Sequence, residues 1–158
     1  MSKFSLLILV SVLTVSSVHA QKADPNTTDS IILAQIINPA EEQATSQGKA
    51  PNWDLITAAV KVKYDETATD RAVTKAEIYY YYGKDWGKFS TAIVHFTEAY
   101  EDKSDYKLMN KNAKFILRYS TNPEEWKTAQ TWVKTAMDKE PANAAYKETY
   151  DNLAAKLK

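Results

Sequence analysis

The chain has 158 residues, carries 20 basic against 20 acidic side chains, and contains no cysteine. That balance argues against nucleic acid as a partner, because phosphate binding draws on a large basic excess. The missing thiols exclude disulfides, thiolate metal sites and cysteine-based redox or nucleophilic chemistry, so the fold must be held by packing.

Residues 1–20 hold the three parts of a secretory signal peptide in order. Lys3 supplies the positive start, Phe4 to Val15 the apolar stretch, and Val18-His19-Ala20 a small-residue cleavage site before Gln21. The stretch is short and broken by Ser11, Thr14, Ser16 and Ser17, which disfavours a membrane span. A periplasmic or secreted location follows as the expectation, with no stable membrane span after cleavage. The chain from Gln21 on keeps 20 − 1 = 19 basic and 20 acidic residues, a formal charge of −1.

Residues 21–51 are poor in aromatics and rich in Asn, Thr, Gln, Ala and Pro. They predict a flexible tether carrying one short helix at Ile31 to Ile37, with Asp29 or Ser30 as N-cap and Pro39 as its stop. From Asn52 onward the apolar periodicity is helical, which sets a domain over residues 52–158. Asn52 caps a first helix with Trp53, Ile56, Ala59, Val60 and Tyr64 on its apolar positions. A second is expected from about Asp70 to Tyr82, stopping at Gly83. A third runs from Asp85 to about Glu101, and a fourth from after Ser104 to Tyr119. The fifth opens with Asn122 as N-cap, Pro123 at the first helical position and Glu125 in the capping-box place. It ends before Pro141. Asn143 caps a last helix reaching nearly to Lys158, whose Lys147, Glu148, Asp151, Asn152 and Lys156 suit a polar cap on the end of a stack.

Two of these helices carry one pattern. Ala92, Phe96 and Ala99 recur as Ala129, Val133 and Ala136, with 129 − 92 = 37 and 136 − 99 = 37. A fixed interval of this size marks helical hairpins that bury their apolar sides by stacking on neighbours. The fold class expected is therefore all-α: antiparallel helical hairpins stacked as a short solenoid behind the signal peptide and tether.

The motif Ala-x-x-x-Phe/Val-x-x-Ala, followed in its second copy by Pro141, resembles the second helix of a tetratricopeptide repeat. The interval of 37 exceeds that family's period of about 34, and the Trp-x-x-Leu-Gly of its first helix is absent, so the likeness is tetratricopeptide-like. Ile78-Tyr79-Tyr80-Tyr81-Tyr82-Gly83-Lys84-Asp85-Trp86, Met109-Asn110-Lys111-Asn112-Ala113 and Asp138-Lys139-Glu140-Pro141 resemble the helical C-terminal region of exported Gram-negative thioredoxin-fold proteins. The thioredoxin domain with its Cys-x-x-Cys is not in this chain. The first resemblance implies a non-catalytic module for protein–protein interaction. The second implies an envelope location, and as an alternative role an accessory to a thioredoxin-like redox system acting with a separate Cys-bearing partner.

Chemistry finds little to work with. His95, the one histidine beyond the leader, falls at the edge of an apolar stripe and reads as a packing flank. Glu124 and Glu125 are explained by the helix start. No set of residues for catalysis, cofactor or metal emerges. The candidate for recognition is a basic stripe: Lys107, Lys111, Lys114 and Arg118, at i, i+4, i+7 and i+11, share one face of the fourth helix, and Tyr81 aligns with Arg118 after a shift of 37. A concave groove lined by that face would take a protein or peptide partner with an acidic segment or a C-terminal carboxylate. The competing reading is internal pairing. The same shift sets Glu148 and Asp151 at the Lys111 and Lys114 positions on the last helix, and Glu77 at the Lys114 position on the second.

Overall fold

The computed structural model describes residues 24–158; the signal-peptide motif at residues 1–20 lies outside the described residues. Among the described residues every regular element is helical and there is no strand. The chain is thus all-α, as its periodicity required. The elements are α1 (Pro25–Ile32), a π-helical turn (Leu33–Ile37), α2 (Asn38–Ser46), α3 (Trp53–Lys61), α4 (Glu66–Tyr81), α5 (Trp86–Tyr100), α6 (Tyr106–Tyr119), α7 (Pro123–Lys139) and α8 (Ala144–Lys156).

Side-chain caps decide where most helices begin. Asn52, Asp65, Asp85, Asp105, Asn122 and Asn143 each accept a backbone N–H of the first turn, satisfying donors that the helix itself leaves free. Gly83 takes φ +76° just past α4, a left-handed exit that glycine makes without steric cost. The α4 start differs from the expectation at Asp70: Asp65 accepts from Ala68 N–H at 2.8 Å and opens the helix a full turn earlier.

The N-terminal segment departs most from its reading as a tether. α1, the π turn and α2 join into one rod over residues 25–46 that runs through Pro39. Proline has no N–H to give, and its ring crowds the carbonyl four residues back. The π turn just before it widens the helix, with Asn38 N–H donating to the Leu33 carbonyl, and so absorbs the proline without ending the rod. Ile32 and Ile37 are fully buried and join Ile56, Val60, Ala72 and Val73 in an aliphatic core. Asp29 is only 2 % exposed and forms a fork-like pair with Arg71 of α4, at 2.9 and 3.0 Å from Nε and 2.8 Å from Nη2.

From α3 onward, helices that follow one another pack together through connections of three to five residues, which makes sequential neighbours antiparallel. α5 also touches α7, and α6 touches α8. A second core of Phe89, Ile93, Met109, Ile116, Trp132 and Val133, with others, fills the space between α5, α6, α7 and α8. Buried polar clasps cross it. Asn112 Nδ2 donates to Thr97 Oγ1 at 2.9 Å between α6 and α5. Glu125 does not close the expected capping box. Its two carboxylate oxygens accept from Thr91 of α5 at 2.7 Å and from Ser120 at 2.6 Å.

The interval of 37 survives only in part. Between α6 and α8 it superposes buried faces: Met109 with Tyr146, Asn112 with Thr149, Ile116 with Leu153. Between α5 and α7 the caps are 122 − 85 = 37 apart, yet Ala99 is exposed, Phe96 is half-buried and Thr97 is buried, whereas Val133 and Ala136 are both buried. α5 is therefore rolled relative to the phase its alanines suggest. Between α4 and α6 the caps are 105 − 65 = 40 apart, and that shift aligns Thr69, Ala72, Val73 and Ala76 with Met109, Asn112, Ala113 and Ile116, all buried.

Candidate binding groove

α4 and α6 flank α5 but make no extended contact with each other. The space between them is a groove of about 660 Å³. Ile78 and Tyr79 of α4 with Tyr82 just past its end form one wall and Leu108 and Phe115 of α6 the other, over a floor that includes Ile93 and Phe96 of α5. These positions recur at helical spacing on each wall, so the groove follows from two faces that no other helix among the described residues covers. Tyr79 and Tyr82 stay 72 % and 56 % exposed as a result. Exposed aromatics grouped in a concavity are uncommon unless something binds there.

The two ends differ in character. At one, Tyr82, Phe89 and Phe115 meet Trp86 and Tyr119: Phe89 is edge-on to Tyr82 at 5.4 Å and to Phe115 at 5.9 Å, and Trp86 stacks on Tyr119 at 4.0 Å. At the other, the first turn of α1 closes the groove with Pro25, Asn26 and Asp29 beside Arg71, Tyr100 and Glu101. Arg71 is already committed to Asp29 and lies 5.9 Å from the Tyr100 ring centre. Donating to the Asp29 carboxylate raises the guanidinium pKa above its ordinary range. Lys75 of α4 and Lys111 of α6 line the groove from opposite walls. Neither forms an ion pair among the described residues, so their charges are open to an incoming anion.

Of the five residues read from the sequence, the structure places Lys111 in this groove and the others outside its lining. Lys107, Lys114 and Arg118 are exposed along α6, with Arg118 resting 5.2 Å from the Tyr119 ring centre. The pairing of neighbouring rows does not form: Asp151 binds Lys147 of its own helix at 2.6 Å. Tyr81 packs against Trp53 and Tyr80, with Lys88 5.1 Å from its ring centre, while Tyr79 and Tyr82 line the groove. The offset of 40 rather than 37 between α4 and α6 is the cause, since three residues turn a helix by about 300°. Lys75 was missed for the same reason.

A separate polar cluster lies between α4 and α5. His95 is half-exposed, and its Nε2 sits 2.8 Å from Asp70 Oδ2. The Tyr100 hydroxyl donates to the same oxygen. Burial, helped by that bond, pushes the Tyr100 phenol well above its usual range. Glu77 is raised as well, first by burial and then by Asp70. His95 is thus a tie between two helices rather than a packing flank. Among the described residues no hydroxyl is hydrogen-bonded to its imidazole, and no group of three or more His, Asp or Glu side chains is arranged to hold a metal ion. Nor is any helix there long and apolar enough to cross a membrane.

No protein-family model, no curated protein and no solved structure matches the chain.

Proposed function

We propose that this protein is a non-catalytic, tetratricopeptide-like stack of helical hairpins, located in the bacterial envelope, that captures a protein segment in the α4–α6 groove. One observation carries the reading: Lys75 and Lys111 line an aromatic-walled groove from opposite sides, and neither has a carboxylate partner among the described residues. Apolar side chains of a ligand find Ile78, Tyr79, Tyr82, Phe96 and Phe115, and an acidic side chain or C-terminal carboxylate finds the two ammonium groups. Burying each large apolar side chain there contributes roughly 1.5–3 kcal/mol before the cost of ordering the ligand is subtracted. The two cations set orientation and on-rate more than affinity. The contacts α5–α7 and α6–α8 support stacked hairpins, and the leader pattern at residues 1–20 supports export.

A random peptide library displayed on phage tests this reading. Enriched sequences should combine acidic residues with aromatic or aliphatic ones, and the Lys75→Glu/Lys111→Glu variant should lose them. Lys107→Glu/Lys114→Glu, outside the groove, should retain most binding. Equal capture by the groove variant and the unaltered protein would overturn it.

A further inference from the structure

α3 has two apolar faces, and among the described residues only one is covered. Ile56 and Val60 are buried in the aliphatic core. On the opposite side Leu55, Ala58, Ala59 and Val62, spaced i, i+3, i+4 and i+7, face outward, with Leu55 68 % and Val62 82 % exposed. Leu55 and Ala59 also border a shallow groove against the N-terminal rod, lined there by Ile36 of the π turn and Ala40 and Ala44 of α2. The uncovered surface is therefore a patch that spans two helices.

The charges beside the stripe indicate what covers it. Asp54 and Lys61 are seven residues apart and so lie along one flank of α3. Asp54 forms no ion pair among the described residues, and Lys61 has only a 3.5 Å contact with the exposed Glu66. We infer that α3 is a self-association surface, on which the α3 of a second copy of this chain packs antiparallel about a two-fold axis between Ala58 and Ala59. That axis sets Leu55 of one copy over Val62 of the other and brings the four alanines together, where small side chains let the backbones approach. It also sets Asp54 of each copy beside Lys61 of the other, because antiparallel pairing joins like flanks. A parallel two-fold would instead put this flank of the two copies on opposite sides of the interface, leaving Asp54 and Lys61 unmatched. The stripe is its own complement only when inverted, which favours a second copy over an unrelated helix.

A nine-residue helix is only about 13 Å long, so the interface belongs to the small class, below about 1,200 Å² in total. The dimer is accordingly weak and concentration-dependent. It does not involve the α4–α6 groove, so its failure would leave that reading untouched.

Sedimentation equilibrium on protein purified after expression of the full-length sequence, from about 10 μM to 1 mM, tests the inference. A monomer–dimer equilibrium is expected. Leu55→Glu should weaken it at least about ten-fold, by burying an unpaired charge. Asp54→Lys should weaken it about three-fold, and the Asp54→Lys/Lys61→Asp exchange should restore it to within about two-fold. These side chains are exposed, so helicity by circular dichroism should not change. If Leu55→Glu nevertheless loses helicity, Val62→Lys replaces it. A monomer throughout, association insensitive to Leu55→Glu and Val62→Lys, or an exchange that fails to restore would each overturn the inference.

Discussion

The two cores of this molecule are built from different materials. Around α1, the π turn and α3 the core is aliphatic and thin, with Ile32, Ile37, Ile56 and Val60 resting on the alanines of α4. Around α5 to α8 it is thick and aromatic, with Phe89, Trp132 and Tyr146 among its buried members. α4 serves both: Ala68, Ala72, Val73 and Ala76 face the first core, and Ile78 and Tyr81 pack on the second. The difference shows what a small apolar core requires. In the thin region one buried ion pair fixes the rod to α4. In the thick region neutral hydrogen bonds and one carboxylate shared by two hydroxyls suffice, because packing supplies most of the stability.

Removing the Asp29 carboxylate should have the largest effect. Asp29→Ala leaves Arg71 largely buried and without its partner, a loss of about 3–5 kcal/mol when a buried pair is broken from one side. Hydrogen exchange should rise over residues 25–46 before it rises in α6 or α7. Uniform acceleration along the chain would show that the two cores are not energetically separate.

Glu125→Ala probes the thick core and should cost less. It leaves the Thr91 and Ser120 hydroxyls without their acceptor, worth about 1–3 kcal/mol in chemical denaturation. Loss of exchange protection should centre on α5 and α7. Unchanged stability would mean that the clasp contributes nothing beyond packing.

The smallest effect lies on α4, between the cores. Burial and Asp70 raise the Glu77 pKa, with Asp54 adding to the rise and His95 and Lys88 opposing it. Folded Glu77 therefore holds its proton more tightly than the unfolded chain does. Its contribution is fully present below the ordinary carboxylate range and is lost as pH rises through the folded value. Glu77→Gln should raise the melting temperature at pH 7, by the equivalent of about 0.5 kcal/mol or less after solvent screening. The gain should vanish on acidification. A gain that persists at low pH would contradict this account of Glu77.

What the sequence made legible was mostly local. The caps at Asn52, Asp85, Asn122 and Asn143 were readable because an Asx side chain and the N–H it accepts lie two or three residues apart. The all-helical class was readable from periodicity, and Lys111 from its place on a basic face. Long-range features were not readable. A polar stretch with a proline looks like a tether unless one knows that Asp29 meets Arg71, 42 residues away, and that a π turn accommodates Pro39. Lys75, Tyr79 and Tyr82 escaped notice because their facing depends on the register between α4 and α6. Two equal intervals in the alanines of α5 and α7 suggested a register that burial there does not follow.

The claim on which the functional reading rests is that α4 and α6 stand apart and bind through the space between them. Backbone amide and side-chain NMR shifts, recorded while an acidic, aromatic-containing peptide is titrated in, address it most directly. The account predicts saturable shifts concentrated at Lys75, Tyr79, Tyr82, Lys111 and Phe115, abolished by Lys75→Glu/Lys111→Glu. Shifts confined to Lys107, Lys114 and Arg118, with the groove residues unmoved, would contradict it.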